Sequence, residues 1–293
     1  MVALKAPVTG LERLTGGSSR EVWAFESAGR RLILLSDPPG EQRGGGAAFE
    51  ASVLRAVRAA GVAAPEAVAV VPGGLVLERL DGETVPRRIL DGLTDGRRLA
   101  RQCGAALGRL HTVDPSAVAG LPDEDRLVEY RATLDRLDPD RPVLELAYAW
   151  LRDRRPARRR TTVTHGDFRL GNFVVDVDGD GLVGVLDWES AHRGDPLEDL
   201  GWIAVRSWRF RGPGVVGGFG DVGDFLDGYR AASGVDVSAD DFAWAVVLGT
   251  WIWAVGCLRQ ADRHLSGTTR SIDLALVGRR VVEVEHDLLE LLR

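Results

Sequence analysis

Apolar and polar positions alternate through the first part of the chain. The segment LERLTGGSSREVWAFES (residues 11–27) holds two alternating runs around a Gly/Ser turn. RRLILLS (30–36) is a third run, closed by Pro38 and Pro39. Period-two alternation bounded by such residues predicts strands. The spacing then changes. Phe49, Val53, Leu54 and Val57 fall on one helical face, and Gly61 is a stop. Residues 66–82 return to alternation, with a hairpin turn at Pro72, Gly73 and Gly74. Residues 1–80 are therefore expected to form a small sheet with one helix.

From residue 81 the pattern is mainly helical. Amphipathic helices are expected over residues 95–114, ended by Pro115, and over 125–137 and 142–155. Short strands follow around 164–190. Three further helices are expected: 223–234, the Trp-rich 242–258, and one long helix over 269–293. The apolar run from Phe242 to Leu258 is short for a bilayer and contains Gly249, Thr250 and Gly256, so it reads as a core helix. A small β-rich lobe (1–80) before a large helical lobe (81–293) implies an α+β bilobal enzyme with its site in the cleft.

Composition changes little in this picture. The chain has 293 residues, 45% hydrophobic and 27% charged, with a net charge of −6. Such a surface is not built for nucleic acid. Lys5 is the sole lysine; the other basic residues are arginines. The cysteines, Cys103 and Cys257, are far apart, fit no metal or redox spacing, and point to a reduced, cytoplasmic setting. The first ten residues lack the apolar core of a signal peptide.

The candidate chemistry lies between Thr164 and Ser190, and two templates compete for it. In the first, His165-Gly166-Asp167 is followed by Asn172 and, fifteen residues later, by Asp187. This matches the H-x-D-x-x-x-x-N loop of phosphoryl-transfer enzymes with a later metal-binding aspartate. An aspartate must face the acceptor hydroxyl, an amide oxygen must reach magnesium, and a second aspartate must chelate it against the nucleotide phosphates. In the second template, Asp176, Asp178, Asp180, Gly181 and Asp187 satisfy a calcium-loop pattern. That loop needs a helix on each side. Here NFVVD and LVGVLDW flank a DGDG turn, which predicts a β-hairpin.

Other signals support the first template. TGGSSREV places Gly16, Gly17, Ser18 and Ser19 where backbone amides can cover phosphates. Glu50 lies on the N-terminal helix where kinases keep an ion-pair glutamate, although taken alone it reads as a surface residue. The backbone from Glu78 to Leu80 is placed to meet an adenine edge. Glu189, near the metal end, is the candidate for a cationic substrate. Trp202, Trp208, Trp244, Trp251 and Trp253 read as core, with some lining a substrate pocket. GPGVVG (212–217) follows no apolar strand and reads as a flexible loop, and the basic run 152–160 as a solvated helix end. His192, His264 and His286 show no metal spacing.

HGDFRLGN, GVLDWESAHRGDPLEDLGW, LERLDG, LGRLHTVDP and the tail LALVGRRVVEVEHDLLELL together resemble the aminoglycoside phosphotransferase-like kinases, over nearly the whole chain. The resemblance implies a protein-kinase-like fold and transfer of a γ-phosphoryl group from Mg·ATP, or GTP, to a small-molecule hydroxyl. It implies Asp167 as base, Asn172 and Asp187 as magnesium ligands, Glu78–Leu80 as nucleotide hinge and Gly16–Ser19 as phosphate loop. Asp195, Asp199 and His165 would be structural. The expected partner is that small molecule (an aminoglycoside-like compound, an amino alcohol or a sugar), with no nucleic acid or membrane, in a monomer or homodimer. One departure stands out. The family carries a basic residue late in the third strand, where this chain has Leu35 or Ser36. Arg31 lies four or five residues early; Arg20 and Arg43 are the substitutes. If neither serves, the alternative is a degenerate pseudokinase.

Overall fold

The structure, a computed structural model, describes residues 6–14, 20–37, 46–137, 140–157, 160–179 and 181–293. Five antiparallel strands form the N-terminal sheet: β1 (Val8–Leu14), β2 (Glu21–Ser27), β3 (Arg30–Ser36), β4 (Ala67–Val71) and β5 (Gly74–Glu78), in the order β1-β2-β3-β5-β4. Helix α1 (Gly46–Ala59) packs on one face. Strand alternation sorts the side chains. Ile33, Leu35, Leu75 and Leu77 join the main core with Phe49, Val53, Leu54 and Val57 of α1, while Phe25, Leu32 and Val76 form a small cluster on the other face. The N-terminal strands and helix thus lie where the alternation placed them.

The chain then crosses to the helical lobe. Gly82 has φ 151°, and a Cβ there would lie 2.9 Å from the Val175 carbonyl oxygen. Only glycine accepts both the dihedral and the approach. The next residue, Glu83, exchanges two backbone hydrogen bonds with Val175, at 2.8 and 2.9 Å.

Helices α2 (Pro86–Gly92), α3 (Gly96–Leu110), α4 (Arg126–Leu137) and α5 (Pro142–Asp153) precede the catalytic segment. That segment contains β6 (Thr162–Thr164), β7 (Phe173–Asp176), β8 (Gly181–Val185) and β9 (His192–Gly194). β6 pairs with β9, and β7 with β8. Helices α6 (Pro196–Trp202), α7 (Val222–Ser233), α8 (Ala239–Leu265), α9 (Ile272–Arg279) and α10 (Val281–Leu291) complete the lobe. The single long C-terminal helix expected over 269–293 is two helices, parted at Arg280.

Caps explain several starts. Asp95, Asp221 and Ser238 accept amide hydrogens in the first turns of α3, α7 and α8. Helix α8 is long and apolar enough to cross a membrane, but 78% of its most apolar window is buried in this fold. Trp244 and Trp251 on it donate to the Leu151 and Leu144 carbonyls, so it is the central core helix.

The closest helix contact is between α3 and α7. A Cβ on Gly104 would lie 1.9 Å from the Phe225 carbonyl oxygen, and one on Gly228 2.1 Å from that of Arg101. The backbones meet there with no room for a methyl group. Gly104→Ala should therefore lower stability by about 2–3 kcal/mol, read as a shift of the urea midpoint. A variant as stable as the parent would show that the helices do not meet backbone to backbone.

Candidate functional site

The catalytic loop follows β6 and is held by one carboxylate. Asp199, buried on α6, accepts the His165 amide at 2.7 Å and the Gly166 amide at 2.9 Å. His111, at the end of α3, lies 3.1 Å away through Nε2, and its Nδ1 is 3.1 Å from the Tyr229 hydroxyl. Burial alone would push Asp199 up. The hydrogen bond and charge of His111, with the hydrogen bond from the His165 amide, outweigh it and hold the carboxyl at about 2. Asp195 caps α6 by accepting the Leu197 amide at 3.0 Å.

His165 is a structural link. The Asp167 amide donates to its Nδ1 at 3.1 Å, so Nε2 carries the proton and donates to the Leu186 carbonyl at 3.0 Å. Burial lowers its pKa and keeps it neutral. Leu186 is held from its other side, its amide donating to the Asn172 carbonyl at 2.8 Å. The residue before Asp187 is thus fixed to both ends of the catalytic loop.

Asp167 accepts from Arg169 Nε at 2.9 and 3.1 Å, from Asn172 Nδ2 at 2.8 Å and from Trp202 Nε1 at 2.8 Å. The Asn172 amide nitrogen also donates to the Asp167 carbonyl at 2.9 Å, which leaves the side-chain oxygen for other use. Arg169 also packs over Trp208, 4.8 Å from the ring centre. Trp202, Trp208 and Trp253 form one aromatic cluster, with ring centres 4.6–6.4 Å apart.

Asp187 follows β8 with φ 64°, a left-handed conformation that aspartate tolerates better than most residues. The residue is exposed, and its carboxylate makes no hydrogen bond among the described residues. Desolvation, then the charges of Glu189, Asp167 and Glu50, push its pKa up to about 7. No three His, Cys, Asp or Glu side chains among the described residues form a closed metal cage. An open arrangement of one carboxylate and one amide oxygen suits magnesium, which keeps the rest of its shell for phosphates and water.

Glu50 is not a surface residue. It is 1% exposed, accepts Arg20 Nη1 at 2.5 Å, and is hydrogen-bonded by the Trp188 backbone. Arg20 also meets Asp37 at 2.9 Å and Glu189 at 3.3 Å. Glu189 therefore faces an arginine of the N-terminal lobe. It also lines a cavity of about 230 Å³ with Phe49, Arg126, Glu129, Tyr130 and Arg259. Arg126 reaches the catalytic loop, its Nη2 2.8 Å from where a Cβ on Gly166 would stand.

At the hinge, the Glu78 and Arg79 amides donate to the Glu66 and Arg31 carbonyls. Leu80 packs on Gly184, where a Cβ would lie 2.3 Å from its Cδ1. Gly16, Gly17, Ser18 and Ser19 lie outside the described residues, as do Arg43 and Asp180.

The calcium template fails. Asp176 pairs with Gly181 across the β7–β8 hairpin, between strands rather than helices. Residues 212–217 are not a loose loop: Gly214 pairs with Gly218 and Val216 with Gly220. In the basic run, Arg152 and Arg155 pair with Asp153 and Asp125, and Arg154 stacks on Trp150. His192 binds Glu198 at 2.8 Å. Sequence reasoning missed Arg169, His111 and the contact of Trp202 with Asp167. All three lay inside quoted motifs, His111 in LGRLHTVDP, Arg169 in HGDFRLGN and Trp202 at the end of GVLDWESAHRGDPLEDLGW, but none was given a role at the catalytic loop.

The fold is a two-lobed architecture of kinase-like type, a small antiparallel sheet joined to a larger helical lobe. The profile of the phosphotransferase enzyme family matches residues 10–246, and the chain belongs to that family. A Ralstonia eutropha JMP134 chain assigned to the aminoglycoside phosphotransferases superposes with a TM-score of 0.75 at 18% identity, over 98% of this chain and 92% of that one. APH(2")-IIia, solved with GDP and kanamycin, gives 0.68 at 16% identity, over 97% and 95%. Mouse acyl-CoA dehydrogenase family member 10 is 26% identical over 227 residues, 70% of this chain. The chain spans about a fifth of the length of the curated relatives it matches.

Asp199 has a folded pKa below its ordinary value. Its contribution is thus complete above the ordinary carboxylate range and is lost as pH falls through about 2. Asp199→Asn should cost roughly 2 kcal/mol at neutral pH and flatten the decline in stability below pH ~4. Urea unfolding at pH 7 and pH 3 measures both; a parallel pH dependence in parent and variant would remove Asp199 from the acid response.

Proposed function

We propose that the chain transfers the γ-phosphoryl group of Mg·ATP, with GTP as the alternative donor, to a hydroxyl of a small molecule. The observation that supports this best is the convergence of Asp167, Asn172 and Asp187. Asp167 is held by three donors beside the loop, and Asp187 is an exposed carboxylate with no hydrogen bond among the described residues, in the field of Glu189, Asp167 and Glu50. Acidic groups gathered in this way call for a cation. Asp187 and the Asn172 amide oxygen would hold magnesium, whose charge neutralises the β- and γ-phosphate oxygens.

Asp167 orients the acceptor hydroxyl and takes its proton. The acceptor oxygen bonds to the γ-phosphorus as the bond from phosphorus to the bridging oxygen breaks, and the nucleoside diphosphate leaves. Arg169, Asn172 and Trp202 keep the base in one orientation. The Leu80 amide meets the adenine edge, because the amides of Glu78 and Arg79 are already used in the sheet. The acceptor enters between the Trp202–Trp208–Trp253 cluster and the cavity at Arg126, Tyr130 and Arg259. Two buried free cysteines fit a cytoplasmic setting.

Asp167→Asn should reduce nucleoside diphosphate production by about 10²–10⁴-fold while Mg·ATP still raises the melting temperature. Undiminished turnover would remove Asp167 as base. Asp187→Ala should abolish the magnesium-dependent part of that thermal shift. A shift by calcium without nucleotide, kept in the variant, would place the cation elsewhere. Competition between ATP and GTP in the same assay selects the donor.

A further inference from the structure

Phosphoryl transfer needs a cation on the α/β-phosphates, and the end of β3 has none: its last residues are Leu34, Leu35 and Ser36. Lysine is not available, since Lys5 is the sole one in the chain. Resting on the kinase reading above, we propose that Arg20, at the start of β2, has taken over from the third strand as the residue that holds the nucleotide phosphates.

Three observations place it there. The first is register. Val22 pairs with Leu35 and Glu21 with Ser36, so Arg20 stands beside the end of β3, level with Asp37. Leu35 faces the α1 side of the sheet, and Arg20 reaches α1 itself. The relocated guanidinium thus meets the same helix as a cation on Leu35 would. In the chain it directly follows Ser19, the last residue of the expected phosphate loop.

The second is the partner. Arg20 Nη1 lies 2.5 Å from Glu50, the helix glutamate whose part in kinases is to hold the phosphate-binding cation. The pair is buried, with side-chain exposures of 7% and 2%. The third is the remaining hydrogen-bonding capacity. A guanidinium carries five N–H groups in a fixed fork, suited to phosphate oxygens. Arg20 also faces Asp37 at 2.9 Å and Glu189 at 3.3 Å, whose side chains are 16% and 25% exposed, but its Nε finds no hydrogen-bond acceptor among the described residues. These outer contacts are the ones phosphate oxygens exchange with, while the buried Glu50 contact stays.

The roles of staple and phosphate ligand separate by experiment. Mg·ADP and adenosine are titrated calorimetrically into wild type, Glu50→Gln, and the double variant Arg20→Gln/Glu50→Gln. The double variant removes both buried charges, whereas Arg20→Ala leaves Glu50 buried and unpaired; melting curves check that it folds. We expect the double variant to lose at least about tenfold in Mg·ADP affinity, with adenosine affinity unchanged and Glu50→Gln, which keeps the guanidinium but loses its anchor, losing less than the double variant. Adding Leu35→Lys to the double variant should recover part of the Mg·ADP affinity. Wild-type Mg·ADP affinity in the double variant, or an equal loss for adenosine, would reduce Arg20 to a structural residue and overturn the proposal. Absence of Mg·ADP binding to the wild type would instead overturn the kinase reading on which it rests.

Discussion

The site is organised around a buried negative charge. Asp199 receives two consecutive backbone amides of the catalytic loop and faces the His111 ring. An ionised group removed from water costs several kcal/mol unless its lone pairs are satisfied. Here they are, and the satisfaction fixes geometry. The two amides set the path of His165 and Gly166. His165 then receives the Asp167 amide and donates to Leu186, one residue before Asp187. Asp167 and Asp187 thus share one brace. His111 brings α3 into it, and Tyr229 brings α7, so the helical packing and the loop geometry are coupled.

A second charged centre joins the lobes. Arg20 of the sheet, Glu50 of α1 and Glu189 beyond β8 form one network with Asp37. Its members come from segments up to 169 residues apart by their numbering, from Arg20 to Glu189. Such contacts form only when both lobes are in place. With Glu189 bound to Arg20, its carboxylate is balanced within the protein, which weakens the expectation that it serves mainly to meet a cationic substrate.

Much of the fold was legible because its periodicities are local. β3 occupies the run RRLILLS, and the α1 face carries the spaced apolar residues. The hairpin reading of the aspartate-rich turn held because β-branched flanks and a tight Gly turn leave no room for helices. The pair Glu50–Arg20 was only half legible. A glutamate inside an amphipathic helix looks exposed until its partner arrives from another element. Trp202 and Arg169 were missed as supports of Asp167 because nothing in composition distinguishes a tryptophan that packs from one that donates to a carboxylate. The C-terminal break at Arg280 lacks a proline and continues an apolar pattern, so periodicity alone runs through it.

The crossing between the lobes sets how the cleft can open. Arg79 still belongs to the sheet through its amide, and Glu83 is already tied to β7 by two hydrogen bonds. Leu80, Asp81 and Gly82 are all that lies between. Asp81 is paired with Arg31, and Gly82 sits against the Val175 carbonyl. Rotation is therefore confined to a pivot about three residues long, fastened at both ends. A link that short leaves few arrangements of the sheet relative to the helical lobe. The molecule works as a stiff jaw on a short pin rather than as two bodies on a tether.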